Sequence, residues 1–321
     1  MTATTPREQA RHWAHPGLPG VDLLRARYIH HTFPRHAHDG YVIAAVTGGV
    51  EGITLPGGAV RAGAGSVVLI NPESPHSAYA GGDDGWSYRV LYPAPGVVAS
   101  VAAGTSALRG TPAFTATVLA DPATAAMITD VHRAAENDNA LAADTFLRLV
   151  LARLLTRHGA ATARPGPARD GGRSAAASAR DLLAARLTAP PSLAELATRT
   201  GTSPFALLRS FKNAYGLPPH SWLTGERVRA ARRLLASGAT PAATAVTVGF
   251  TDQSHLNRHF TRIVGVTPGA YQREHRISRT WTDAGIRGRP VADRAEHGGP
   301  DDPRPRRRAC KNVQDRPAAV P

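Results

Sequence analysis

GFTDQSHLNRHFTRIVGVTPGAYQREH, residues 249–275, decides the fold, because much of its pattern has already occurred 49 residues earlier. Leu207, Arg209 and Phe211 return as Leu256, Arg258 and Phe260. Gly216-Leu217 returns as Gly265-Val266, Pro219 as Pro268 and Trp222 as Tyr271. The two copies align without a gap and keep five different residue types in register. Chance similarity in an Ala/Arg-rich chain does not do that.

Each copy carries the chemistry of a helix-turn-helix. In the first, SLAELATRT (192–200) opens on Ser192 with Glu195 three residues later, a capping box. Gly201 allows a tight turn, and Ser203-Pro204 supplies an N-cap and a first-turn proline for FALLRSFKNAY. Leu207 and Phe211, four apart, face a core, which turns Phe205, Ala206, Leu208, Arg209 and Lys212 outward. In the second, TPAATAVTV (240–248) is the supporting helix, Gly249-Phe250 the turn and DQSHLNRHFTRI (252–263) the second helix. There Leu256 and Phe260 point in; Gln253, Ser254, Asn257 and Arg258 point out. Between the copies, residues 219–238 read as one helix about 30 Å long at 1.5 Å per residue. That approaches the roughly 34 Å of one DNA turn, the separation of two successive major grooves.

The charge agrees. The 321 residues include 38 basic and 24 acidic side chains, for a formal +14, and all but two of the basic ones (Lys212 and Lys311) are arginine. Residues 174–272 hold 11 basic and 4 acidic groups on a sequence rich in Leu, Ala, Phe and Val, so this charge decorates a folded surface. Residues 273–321 hold 12 and 7 in an Arg/Asp/Pro/Gly composition expected to be a disordered basic tail over 277–321. Residues 1–173, with 15 and 13, are nearly neutral and have no polyanion to attract. A single cysteine, Cys310, excludes a disulfide framework or a cysteine zinc finger. The absence of an apolar run near 18 residues or of an apolar leader core leads us to expect a cytoplasmic, nucleoid-associated protein without a membrane partner.

On these residues, above all 249–275, the chain resembles the AraC/XylS family of bacterial transcription regulators. The resemblance implies a seven-helix, double helix-turn-helix domain over 174–276 that binds double-stranded DNA. It implies base contacts from Phe205, Leu208 and Arg209 in one motif and Gln253, Ser254 and Arg258 in the other, with Ala206 and Asn257 on the same faces. Arginine to guanine and Gln or Asn to adenine are the natural pairings in the major groove. Ser203, Lys212, Arg229 and Arg262, with Arg227, Arg232 and Arg233, suit phosphates. The chain departs from the family at Thr261, where a lysine is usual, leaving that contact to Arg262.

The N-terminal part has another rhythm. YVIAAV (41–46), GITL (52–55) and SVVLIN (66–71) are short β-rich runs punctuated by Gly48-Gly49, Pro56-Gly57-Gly58 and PESP. The expected fold class is α+β with two domains: an antiparallel cupin-like barrel with helices, then an all-α double helix-turn-helix. Residues 1–24 are expected to be a flexible segment, 25–115 the effector-binding barrel, 120–159 a helical dimerisation segment and 160–173 a linker. FPRHAHDGYVI (33–43) and AGAGSVVLINPESPH (62–76) carry the cupin-like resemblance, which implies a small-molecule effector. Candidate lining residues are His36, His38, Tyr41, Glu73, His76, Trp86 and Tyr88. His36, His38 and His76 would make a three-histidine metal face, but Val42 and Ile43 stand where its acidic ligand belongs and Asp39 points away. No metal or other cofactor, and no enzyme activity, is therefore expected. The helices expected over 121–137 and 140–159 place Leu147, Val150, Leu151, Leu154 and Leu155 in one apolar stripe, for a homodimer contact or for packing on the barrel. A cupin metalloenzyme with a DNA-binding appendage and a non-specific architectural DNA binder remain alternatives.

Overall fold

The computed structural model describes residues 7–105, 110–162 and 171–276. The expected basic tail and most of the expected linker lie outside them.

The N-terminal half is an antiparallel β structure backed by helices. Its strands are β1 (Gln9–Ala14), β2 (Val21–Tyr28), β3 (Phe33–His36), β4 (Val42–Leu55), β5 (Gly58–Gly63), β6 (Ser66–Ile70), β7 (His76–Ala80), β8 (Trp86–Pro93), β9 (Thr111–Phe114) and β10 (Val118–Ala120). One layer runs β1-β2-β8-β4-β6-β10; the opposing strands β3, β7 and β5 join through the far end of β4. Helix α1 (Pro95–Thr105) lies between β8 and β9, and α2 (Pro122–Glu136) and α3 (Ala140–His158) follow β10. A short strand β11 (Gly159–Thr162) pairs back onto β9.

The first layer is buried on both faces, so YVIAAV reads as a continuous apolar run rather than an alternation. Val42, Ala44 and Val46 face the barrel interior with Leu24, Val68 and Val90. Tyr41, Ile43 and Ala45 face the helices, where they meet Leu23, Val67, Leu91, Ile128 and Leu151.

Two expectations are corrected, and for a third the structure selects between the two roles expected. YVIAAV and GITL are one bent strand, because the register against β8 shifts between Val46 and Gly48 while Gly49 takes φ +68°. Such a bulge bends a strand instead of ending it. Residues 9–24 are not a flexible segment: β1 pairs with β2 along its whole length, from Gln9↔Arg27 to Ala14↔Asp22. The apolar stripe of α3 packs on its own chain, with Leu147, Val150, Leu151, Leu154 and Leu155 all at most 3% exposed.

The C-terminal half is helical: α4 (Gly171–Ala185), α5 (Leu193–Arg199), α6 (Pro204–Tyr215), α7 (Pro219–Ala236), α8 (Pro241–Thr247), α9 (Gln253–Val264) and a last helical stretch over 268–276. The capping box at Ser192 and Glu195 forms, and Ser203, Thr240 and Asp252 cap the helices that follow them. The repeat holds in three dimensions. Leu207 and Phe211 sit in one core and Leu256 and Phe260 in another, all fully buried. Phe211 meets Trp222 edge-on at 6.1 Å and 76°; Phe260 meets Tyr271 at 5.5 Å and 75°. No helix among the described residues is long and apolar enough to cross a membrane.

Candidate functional site

Helices α6 and α9 hold their burying residues in the middle and leave their N-terminal halves to solvent. On α6, Phe205 is 75% exposed, with the Arg209 guanidinium 5.8 Å from its ring centre. Arg209 and Lys212 are exposed, while Ala206 and Leu208 are half-buried. On α9, Gln253, Ser254, Arg258 and Arg262 are exposed and Asn257 is half-buried. Phe205 is thus a large aromatic left beside an exposed arginine on a helix whose other face is buried, and it adds little to the core. The hydroxyl of Ser203 accepts the amide hydrogen of Ala206, fixing the start of α6.

Several arginines expected at phosphates are used inside the molecule instead. Arg229 pairs with Glu226 at 2.7 Å and with Glu73 of the sensor at 3.0 Å. Arg232 pairs with Asp22 at 2.8 Å, and Asp39 lies 3.9 Å away. Arg227 donates to the Leu187 carbonyl at 2.6 and 2.8 Å. Two arginines of α7 thus point at the sensor. Burial pushes the Asp22 carboxyl up, but His275, His12 and the Arg232 guanidinium outweigh it and hold Asp22 well below the carboxylate range.

The sensor also touches α6 and α9 at the same place in the repeat. Gly216 and Gly265 end α6 and α9 in the left-handed conformation, at φ +68° and +83°. A methyl group on Gly216 would lie 2.6 Å from Pro75 Cγ; one on Gly265 would collide with the Tyr28 hydroxyl, which donates to the Gly265 carbonyl at 3.1 Å. Glycine is needed at both positions for the backbone and for the close approach.

Within the barrel, His36 and His76 are register partners on β3 and β7, and His38 follows β3. With Tyr88 they line a cavity of about 30 Å³. Burial is the main reason that all three imidazoles titrate low, at about 3 for His36, about 4 for His76 and well below the usual range for His38, so the rings are neutral at pH 7. The other candidates lie elsewhere. Tyr41 faces the helices and donates to the Pro112 carbonyl. Trp86 is buried among Tyr28, Phe33 and Tyr88 without lining the cavity. Glu73 stands on an exposed turn at φ +59°, facing Arg229 across a separate cleft of about 990 Å³ between sensor and first motif.

Two cavity residues escaped the sequence reading, Glu51 and Tyr92, and a third, Ile263, comes from α9 itself. Before the bulge the inward residues of β4 are even-numbered; after it Glu51 and Ile53 point in. A bulge shifts parity by one, and without it Glu51 would be placed on the wrong face. Burial pushes the Glu51 carboxyl up to about 8, and its Oε2 has no hydrogen-bond partner among the described residues.

Comparison with known proteins places this architecture. The AraC-like ligand binding domain matches residues 18–151, and a helix-turn-helix domain matches residues 196–274. The chain belongs to the AraC family. Within it, an uncharacterised helix-turn-helix-type regulator of Bacillus subtilis, YbfI, is 27% identical over 240 residues, covering 74% of this chain and 86% of that protein. The transcriptional activator NphR of a Rhodococcus species is 37% identical over 84 residues, which cover 26% of this chain and 25% of NphR. In fold, apo ToxT from Vibrio cholerae superposes with a TM-score of 0.50 at 15% identity, over 83% of this chain and 96% of ToxT. This AraC-family chain is thus a transcription regulator that joins a ligand-binding domain to a helix-turn-helix domain.

Proposed function

We propose that this regulator reads two successive major grooves with the N-terminal halves of α6 and α9, and that a ligand in the sensor alters how those helices are held. Arg209 and Arg258 recognise guanine edges. Phe205, Ala206 and Leu208 on one helix and Gln253, Ser254 and Asn257 on the other contribute the remaining base contacts. Ser203, Lys212 and Arg262 contact phosphates. The observation that carries the proposal is the paired contact of Gly216 and Gly265 with the sensor: it grips each reading helix at the end opposite its exposed face. Small movements of Pro75 relative to Tyr28 then change the spacing of the two helices, and with it their fit to one DNA turn. Ligand and DNA are coupled through that spacing, typically by ~1–3 kcal/mol.

The experiment is binding of Arg209→Ala and Arg258→Ala to a randomised duplex library. Each should lose roughly 1–3 kcal/mol at particular base positions. Uniform weakening over all sequences would refute specific reading and leave a charge-driven binder.

The proposed homodimer contact moves to the outer face of α3, since the inner stripe is occupied. Leu141 is 80% exposed and Leu149 is 50% exposed there.

A further inference from the structure

We propose that His36, His38 and His76 bind a divalent transition-metal ion that favours imidazole, of the zinc, nickel or cobalt class, inside the sensor barrel. Glu51 and Tyr88 face the coordination position the protein leaves open. The ion as effector rests on the function proposed above; the ion as ligand does not.

Geometry comes first. One nitrogen from each ring lies within 4.8 Å of the other two, and His36 Nε2 to His38 Nε2 is 3.1 Å. Metal–nitrogen bonds of about 2.0–2.1 Å in a tetrahedral site put ligand nitrogens roughly 3.3 Å apart, so the rings need to close by little more than an ångström. Two of the three are already oriented from behind. His36 Nδ1 donates to the Pro34 carbonyl at 2.6 Å, and His76 Nδ1 donates to the Ser74 carbonyl at 2.9 Å. That leaves each Nε2 as a bare lone pair aimed at the cluster. Metal-binding histidines are held in this way by a partner on the other ring nitrogen. Without a cation, the facing lone pairs of His36 and His76 have only the His38 proton to share. No carboxylate lies within ion-pair distance of any of the three among the described residues.

Size comes second. The cavity of about 30 Å³ holds an ion with a water and little more. Organic ligands occupy sites of roughly 300–1,000 Å³, an order of magnitude larger.

Glu51 is the independent observation. It is 5% exposed, lines the same cavity, and keeps one carboxyl oxygen without a partner. A water on the open position of a three-histidine ion is the acceptor or donor that this oxygen lacks. Glu51 thus stands as an outer partner of the three-histidine group and not as a fourth ligand. The other cluster of metal-ligand type among the described residues, His12, Asp22 and His275, is spoken for: the Arg232 guanidinium sits on Asp22 at 2.8 Å and its charge opposes a cation.

The test uses the full chain, stripped with a chelator and titrated with Co²⁺, followed by visible absorption, with Zn²⁺ then displacing the Co²⁺. One equivalent with ligand-field bands is expected. His76→Ala should weaken binding more than about 100-fold, whereas Glu51→Gln, which leaves the three rings in place, should change the Co²⁺ spectrum and weaken binding about 10–100-fold. His12→Ala should change neither. Absence of binding by the wild-type chain overturns the proposal, as does binding that survives His76→Ala in a protein of unchanged circular dichroism. DNA affinity measured on the same samples separates the two claims. One equivalent bound with unaltered DNA affinity supports the site and refutes the ion as effector. No ion bound, with DNA affinity still answering to an organic ligand, overturns the site and leaves the proposed function standing.

Discussion

Replacing Asp22 by Asn removes the charge that Arg232 of α7 leans on while keeping the side chain's shape. The two side chains are 23% and 20% exposed, and their atoms meet at 2.8 Å. Asp39, 3.9 Å from the same guanidinium, is too far to replace the contact fully. Truncating one member of a desolvated, hydrogen-bonded charge pair costs 2–5 kcal/mol, much of it from the cation left behind. With about a fifth of each side chain still wet, the low end applies, about 2 kcal/mol. The docked arrangement, and not the fold of either half, bears that cost, because Arg232 regains water as soon as α7 leaves the sensor. About 2 kcal/mol changes the ratio of released to docked protein roughly 30-fold. On the premise that docking on the sensor competes with DNA binding, operator affinity, read by fluorescence anisotropy, should tighten by up to that factor, saturating once the released form predominates. A double-mutant cycle with Arg232→Met isolates the pair, since Met fills the space without a charge. Asp22→Asn in the Arg232→Met background should change affinity far less. A coupling below ~0.5 kcal/mol, the range in which unconnected sites add, would refute the reasoning. So would weaker DNA binding by Asp22→Asn alone.

Gly216→Ala and Gly265→Ala should each loosen the docked arrangement by more than Gly238→Ala. All three have positive φ, costing roughly 1 kcal/mol, but only the first two have sensor atoms in the way. Hydrogen exchange in 28–33 and 72–76 measures the difference, and equal effects at all three would refute the contact argument. Phe205→Ala should leave the unfolding free energy within the ±0.5 kcal/mol of ordinary surface changes while weakening operator binding, so a clear loss of stability would return Phe205 to the core. Leu149→Asp should shift any self-association seen by ultracentrifugation without changing the circular dichroism, and unchanged association would exclude the outer face of α3. Acid should destabilise the sensor through His132. Burial lowers its pKa from 6.5 to about 3, so the unfolded chain takes up a proton that the folded one refuses. The stability is complete above pH 6.5 and declines as pH falls from there towards 3, with about 2 kcal/mol lost at pH 5. Thermal unfolding at pH 7.5 and 5.0 should show it, and His132→Leu should make the slope shallower by that share, the other buried histidines supplying the rest; an unchanged slope would assign the effect elsewhere.

The DNA-binding half was legible because its signals are local. Caps at Ser192, Ser203 and Asp252, four-residue spacing of Leu207 with Phe211, and a duplicated motif all act within a turn or two of helix. The sensor was legible in class and not in detail. Tyr41 and Val42 are neighbours in sequence and face different cores, and which of them enters the barrel depends on a sheet that long-range pairing builds. Glu51 was hidden by a single unpaired residue at the bulge. Arg229 and Arg232 look like any other basic positions on an amphipathic helix. Only the fold reveals that Glu73 and Asp22 wait opposite them, 156 and 210 residues away in the chain.

Strand β4 has a mechanical meaning that follows from its two faces. Val42 and Ala44 form part of the wall around the histidines; Ile43 and Ala45, one peptide along, form part of the bed on which α2 and α3 rest. A nearly inextensible backbone joins the two sets, so pressure applied inside the barrel cannot be absorbed locally without tilting the strand. One backbone therefore ties the wall of the barrel to the helical layer behind it, and the kink at Gly48-Gly49 is where that strand changes direction.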